Sequence, residues 1–407
     1  MSARRFPLLK FLSLQAFVLA AFAGAWLCLS DGSSQALATA VTGRSQAIVV
    51  PVARELPLVV EPLYDDPELV GDEELALVLK RLRPIFPRRE MKPNHIEHAL
   101  RIWGVDATFA DPAALSGAEL RDFLCDHATF LMAYRDEPVE PLLMERPRGI
   151  AVRWDRKPGG SVHHDHWLAS LTEAGVRIDQ PVFGPSRRDS DIGDVLQEAL
   201  RDFRVDEAEV EWSAMAFGLW LPPVRDWRDR DGRTVSFDLI AQRLMRGHKR
   251  FGVCVGTHRV YSLMLLVRLD DAHGILTPAI RADALAHLAK VRDLLIESQY
   301  DEGYWHGNWS QGAAAKNAAT DDEDYRRVIA TGHHLEWLAI APPELHPPRE
   351  SLRRAARWLI DETLSVPEET LRERYTFYSH VGNALALWRG THPATFWREW
   401  TATHGEP

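Results

Sequence analysis

From Ser161 to the C-terminus, apolar residues recur at spacings of three and four in one segment after another, and Gly, Pro or Asp breaks the joins. The pattern predicts helices at about 161–174, 191–203, 206–221, 235–246, 252–269, 280–299, 323–341, 349–364, 370–389 and 393–402. Upstream it predicts helices over Asp72–Leu82, Asn94–Trp103 and Ser116–Tyr134, the last with Ser116 as N-cap and Glu119 at the capping-box position. Gly149 to Trp154 alternates as a strand or hairpin arm does, whereas residues 39–70 are rich in Val, Pro and Ala without a helical period and read as a linker.

These helices are of two kinds. Those at 206–221, 252–269, 323–341 and 370–389 are apolar nearly all round, with small residues and isolated polar groups, while those at 235–246, 280–299 and 349–364 carry charge on one face. A helix apolar on every side must be buried on every side. Two concentric rings of helical hairpins satisfy this, with the first helix of each pair inside. The expected fold is all-α, an (α/α)6 barrel or toroid over residues 71–407, with the helices before residue 160 supplying the sixth pair.

Composition changes the picture in two places. The formal charge of −10, with no basic block to offset it, excludes nucleic acid as a partner. The N-terminus carries Arg4, Arg5 and Lys10 before an apolar run from Phe11 to Leu29, followed by Ala36-Leu37-Ala38. That is the layout of a secretory signal over residues 1–38, and the run is nearly long enough to serve instead as an uncleaved transmembrane anchor. In both cases the body is expected outside the cytoplasm, in the periplasm or cell envelope. Cys28 lies in this run, which leaves Cys125 and Cys254 either to pair or to stay free.

Candidate chemistry concentrates between Phe251 and Trp337. Cys254, His258, Tyr261 and Leu265 share one helical stripe, as do His333, Glu336, Trp337 and Ile340. At spacing i, i+4 Cys254 and His258 can share a Zn2+ ion, with a third ligand from His333 or His334. His333, Glu336 and His380 form a candidate acid–base set, with Arg259 as the alternative salt-bridge partner for Glu336. His163 and His166, flanking His164 and Asp165, are expected on one inward face. Trp212, Tyr261, Tyr304, Trp305, Trp337 and Tyr378 supply the wall of a ligand cavity.

Two resemblances follow from particular residues. The run Leu285–Trp305, through Leu294, Leu295, Gln299, Gly303 and Trp305, resembles the QW repeat of terpenoid cyclase and protein prenyltransferase toroids. In that repeat the Gln caps a helix end and the Trp packs over it, so the resemblance implies architecture. Toroids of the prenyltransferase and lanthionine cyclase kind hold a central zinc through Cys and His. The segment Gly332-His333-His334-Leu335-Glu336-Trp337 is similar to the Gly-His-x-x-Glu sugar-site segment of the N-acylglucosamine 2-epimerase family, another (α/α)6 barrel. Three functions compete: an exported enzyme acting on a saccharide or glycan through His333, Glu336 and His380; a zinc enzyme centred on Cys254, His258 and His334; and a non-catalytic toroid that binds a ligand or envelope partner.

Overall fold

Helices form where the apolar period is strongest, and capping residues set their ends. A computed structural model of the chain describes residues 8–28, 50–89, 91–135, 138–246, 253–317 and 325–407. It is mostly α-helical, with three two-stranded sheets among the described residues. The described residues divide into two compact units, Leu8–Cys28 with Asp226–Val235 in one and those of Val50–Arg225 and Ser236–Pro407 in the other.

In the first unit, α1 (Leu8–Cys28) has exposed side chains from Leu12 to Ala21. Among the described residues no helix is long and apolar enough to cross a membrane, which corrects the expected transmembrane anchor. The physical reason is visible in the run itself. Ser13 and Gln15 interrupt it, and only the 13 residues Ala16–Cys28 follow without a strongly polar side chain, against about 20 for a span. The Ala36-Leu37-Ala38 stretch lies outside the described residues.

The second unit contains α2 (Asp72–Arg81), α3 (Pro93–Trp103), α4 (Gly117–Cys125), α5 (His127–Met132), α6 (His166–Glu173), α7 (Ile192–Asp202), α8 (Glu211–Trp220) and α9 (Phe237–Met245). It continues with α10 (Thr257–His273), α11 (Pro278–Ser298), α12 (Tyr325–Ala339), α13 (Arg349–Ser365), α14 (Glu368–Glu373), α15 (Tyr375–Trp388) and α16 (Pro393–His404). The expected helix 116–134 is broken at Asp126, which turns extended so that its carboxylate accepts the N–H groups of Ala128 and Thr129. The helix expected from Ser161 starts only at His166, because Asp165 is left-handed with φ of 57°. The helix expected from residue 252 starts at Thr257, and that expected over 370–389 is divided between α14 and α15. The alternating segment forms a hairpin, with Leu143–Arg146 antiparallel to Gly149–Val152.

Packing runs from α3 to α6, α6 to α8, α8 to α10, α10 to α12 and α12 to α15, and α15 returns to α3. These six helices are buried along most of their length, as their all-round apolar sequences require. Close approach depends on small residues: a Cβ on Gly382 of α15 would lie 2.6 Å from Leu82 Cδ1 and 2.8 Å from Ile102 Cδ1. The amphipathic α9, α11 and α13 pack outside, α9 and α11 on α10 and α13 on α12 and α15. Gln299 closes α11 by donating from Nε2 to the carbonyls of Gly303 and Ser351, both at 2.8 Å, while Trp305 Nε1 donates to Leu295 O at 2.9 Å.

From Val50 onward the segment expected to be a linker is part of the fold. Gln197 exchanges two hydrogen bonds with the Val50 backbone. The N–H groups of Leu58, Leu63 and Asp66 donate to the carbonyls of Leu219, Ala339 and Trp388 at 2.9, 3.1 and 2.8 Å. Tyr64 Oη donates to Ala341 O at 2.7 Å. Those acceptors sit at the C-terminal ends of α8, α12 and α15, where the last carbonyls of a helix lack intrahelical donors. An extended strap without periodicity meets that need, so Val50–Asp66 lies across one end of the bundle.

Candidate functional site

The six mutually packed helices each send one ring to a common hub: His98 from α3, His166 from α6, Trp212 from α8, His258 from α10, His333 from α12 and His380 from α15. Going round, successive ring centroids are 4.6, 4.2, 4.2, 4.5, 3.7 and 5.2 Å apart. Except for His98, which is 5% exposed, and Trp212, at 1%, all are fully buried.

Burial keeps these imidazoles neutral. It pushes His333 down to about 4 and holds His98, His166, His258 and His380 well below the usual histidine range, with neighbouring histidines and Arg101 adding to the effect on His258 and His380. His333 Nδ1 donates to Ile329 O at 2.7 Å, which leaves Nε2 with a bare lone pair, and that atom lies 2.9 Å from His258 Nε2. His258 Nδ1, His380 Nε2, His166 Nε2 and the donor-only Trp212 Nε1 have no hydrogen-bond partner among the described residues. A buried polar atom left unmet costs about 1–3 kcal/mol, so atoms of this kind call for a partner such as ordered water or a ligand.

One helical turn away, a charged cluster supports the hub. Arg101 pairs through Nε with Glu173 (2.5 Å) and through Nη1 with Glu336 (3.2 Å). Burial opposes the charge of Arg101, and the two carboxylates overcome it. Asn383 Nδ2 donates to Glu336 Oε1 at 2.8 Å, and Tyr261 Oη donates to Glu173 Oε1 at 3.0 Å. His380 Nδ1 lies 2.9 Å from both Glu336 Oε2 and Arg101 Nη1. It can donate to the first or accept from the second but not both, so its proton is poised between two arrangements. Glu97 Oε2 approaches His166 Nδ1 to 2.6 Å, with Glu97 raised by burial to about 8.

Cys254 reaches the hub by strained backbone. Cys254 and Val255 are left-handed, with φ of 49° and 55°. Thr257 Oγ1 holds the Cys254 carbonyl at 2.7 Å, and Trp309 Nε1 holds that of Val255 at 3.1 Å. A β-branched residue in this region costs on the order of 1–3 kcal/mol, which persists only where surroundings impose it. The thiolate-capable sulfur of Cys254 and ring nitrogens of His258 and His333 lie within 4.8 Å of one another, as do ligand atoms of His333, Glu336 and His380. Burial pushes the Cys254 thiol up to about 12. Cys125 and Cys254 are both free.

Several expected site residues stand elsewhere. His334 turns away from the hub, accepting from Trp337 Nε1 at 3.1 Å and packing against Trp305 and Trp309, so His333 takes its place beside Cys254 and His258. Arg259 pairs with Glu211 at 2.8 Å and not with Glu336, whose partner is Arg101. Tyr304 stacks on Tyr300, Trp305 closes α11, and Tyr378 donates to Glu362 at 3.2 Å. Trp212 and Tyr261 reach the hub or its supporting cluster; Tyr304, Trp305, Trp337 and Tyr378 do not wall it. His163 precedes α6 and pairs with Glu209 at 2.8 Å, its ring 5.9 Å from that of His166. His98, Arg101, Glu97 and Glu173 belong to no motif legible in the sequence, although Glu97, His98 and Arg101 crowd one short helix and are buried in it. Comparison with family models, curated proteins and solved structures gives no match.

Proposed function

We propose that this chain is an exported enzyme with an (α/α)6 toroid fold, its active centre being the hub and its cofactor a zinc-like divalent ion. The observation that carries the proposal is the pair of neutral imidazoles His258 and His333, with Nε2 atoms 2.9 Å apart and the His333 tautomer fixed by the Ile329 carbonyl. With the His258 proton on its unpartnered Nδ1, both Nε2 atoms would offer lone pairs, and with a cysteine sulfur within reach they would make the donor set that zinc prefers. The backbone bond on Nδ1 is the usual way a ligating histidine is oriented. One guanidinium between the two carboxylates Glu173 and Glu336 leaves the neighbourhood short of positive charge, which favours a cation.

His258, His333 and Cys254 would hold the ion, which when bound supplies Lewis acidity. The chain's own residues then divide the work. Glu336 and His380 exchange a proton at His380 Nδ1, Arg101 and Asn383 fix the Glu336 carboxylate, and the buried rings of Trp212 and His98 keep bulk water out. The cyclic helix packing supports the toroid, and Arg4, Arg5 and Lys10 before an apolar run support export. A second reading is a metal-free acid–base enzyme for a saccharide, favoured by the 2.9 Å contact of His380 with Glu336.

Metal analysis of the purified protein, followed by Co2+ titration after chelation, separates the two. The metal reading expects one ion per chain, a thiolate-to-cobalt absorption band lost in Cys254→Ser, and at least ten-fold weaker binding in His333→Ala. A protein without stoichiometric metal that takes up Co2+ with no such band overturns it.

A further inference from the structure

The strap over the C-terminal ends of α8, α12 and α15 directs attention to the opposite end of the bundle. There a cleft of about 1080 Å3 opens at the N-terminal end of α3. Its lining adjoins the hub through α3, where Asn94 O accepts from His98 Nδ1 at 2.7 Å. Five basic side chains face it against three acidic ones, in a chain whose formal charge is −10. Of these, Lys157 pairs with Glu140 at 3.3 Å and Asp155 with Arg153 at 2.9 Å. Lys92, Arg156 and Arg372 are exposed and have no ion-pair partner among the described residues. Asn94 Oδ1 is buried and without a partner among those residues, an acceptor suited to a hydroxyl. Tyr134 and the neutral His95, pushed by burial down to about 4, add ring surface.

We propose that this cleft binds the anionic group of a hydroxyl-bearing substrate, a carboxylate or a phosphate on a sugar-like body, and presents that substrate to the hub. The proposal rests on the assignment of the hub as the active centre. Lys92, Arg156 and Arg372 supply the charge, which the protein's overall negative field makes selective against diffuse anion binding. Asn94 and the rings supply contact to hydroxyls and ring faces.

The test measures binding of glucuronate, glucose 6-phosphate and glucose to the full chain by calorimetry at fixed ionic strength. Wild type is expected to bind one or both anionic probes at least ten-fold more tightly than glucose, and which one it prefers distinguishes carboxylate from phosphate. The variant Lys92→Glu/Arg372→Glu is expected to lose that margin, while Lys290→Glu, on the exposed outer face of α11, keeps it. Equal binding of glucose and the anions, or equal loss in Lys290→Glu, overturns the proposal. Metal content of the cleft variant and anion binding by His333→Ala are read in parallel. Anion binding that survives in a protein holding no metal leaves the cleft standing and removes the metal centre, and the reverse result removes the cleft alone.

Discussion

Arg101→Met tests the energetic core of the site. The Arg101 side chain is 5% exposed, Glu336 1% and Glu173 13%, so the substitution leaves two carboxylates facing each other with little water to screen them. Breaking one buried pair by removing a partner costs about 3–5 kcal/mol. Part of that cost is the stranded charge, so it should shrink when Glu336 is neutralised as well. Arg101→Met/Glu336→Gln is therefore expected to be more stable than Arg101→Met, with a coupling energy of about 1–3 kcal/mol. Urea unfolding followed by circular dichroism gives both numbers, provided the slope of free energy on urea is unchanged. A loss under about 1 kcal/mol for Arg101→Met, or a double variant no more stable than that single one, would refute the account of Arg101 as the charge that makes these carboxylates tolerable.

Gln299→Leu should destabilise by about 2–4 kcal/mol in the same assay, because the carbonyls of Gly303 and Ser351 lose their buried donor; a change near zero would mean that water replaces the amide freely. Glu97 has a folded value of about 8 against an ordinary 4.5, so the folded state holds the extra proton. Its contribution is complete below 4.5 and is lost as pH rises through 8, with a slope of at most about 1.4 kcal/mol per pH unit. Glu97→Gln should remove that slope from the stability profile between pH 5 and 8, and identical profiles would count against a buried neutral acid. Val255→Gly should relieve left-handed strain and stabilise the protein by about 1 kcal/mol; destabilisation of that size would show that the Val255 side chain contributes more than its backbone costs.

The periodicity of α8, α10, α12 and α15 carried the helical character and the burial of these segments, because an apolar surface on all sides leaves a helix no exposed face to choose. The Gln299–Trp305 cap was legible through the resemblance of its residues to a known repeat, whose bonds to Gly303 and Leu295 are local, whereas the bond to Ser351 comes from 52 residues away. Boundaries were less so: Asp126, Asp165 and Cys254 leave helical geometry to make local caps and a strained turn, and an apolar count does not register backbone conformation. The strap Val50–Asp66 has no period at all, and its role exists only through carbonyls on three distant helices.

For the site, sequence alone singled out His258, His333, Glu336 and His380, since polar groups on otherwise apolar helices call for partners. It could not choose those partners. Arg101, not Arg259, meets Glu336, and His333, not His334, meets His258, because each choice is a rotation about a helix axis settled by packing against neighbours far away in the chain. Sequence fixes which side chains are costly to bury; only the three-dimensional arrangement, by bringing one ring from each of six helices to a single point, decides which of those costs are met together.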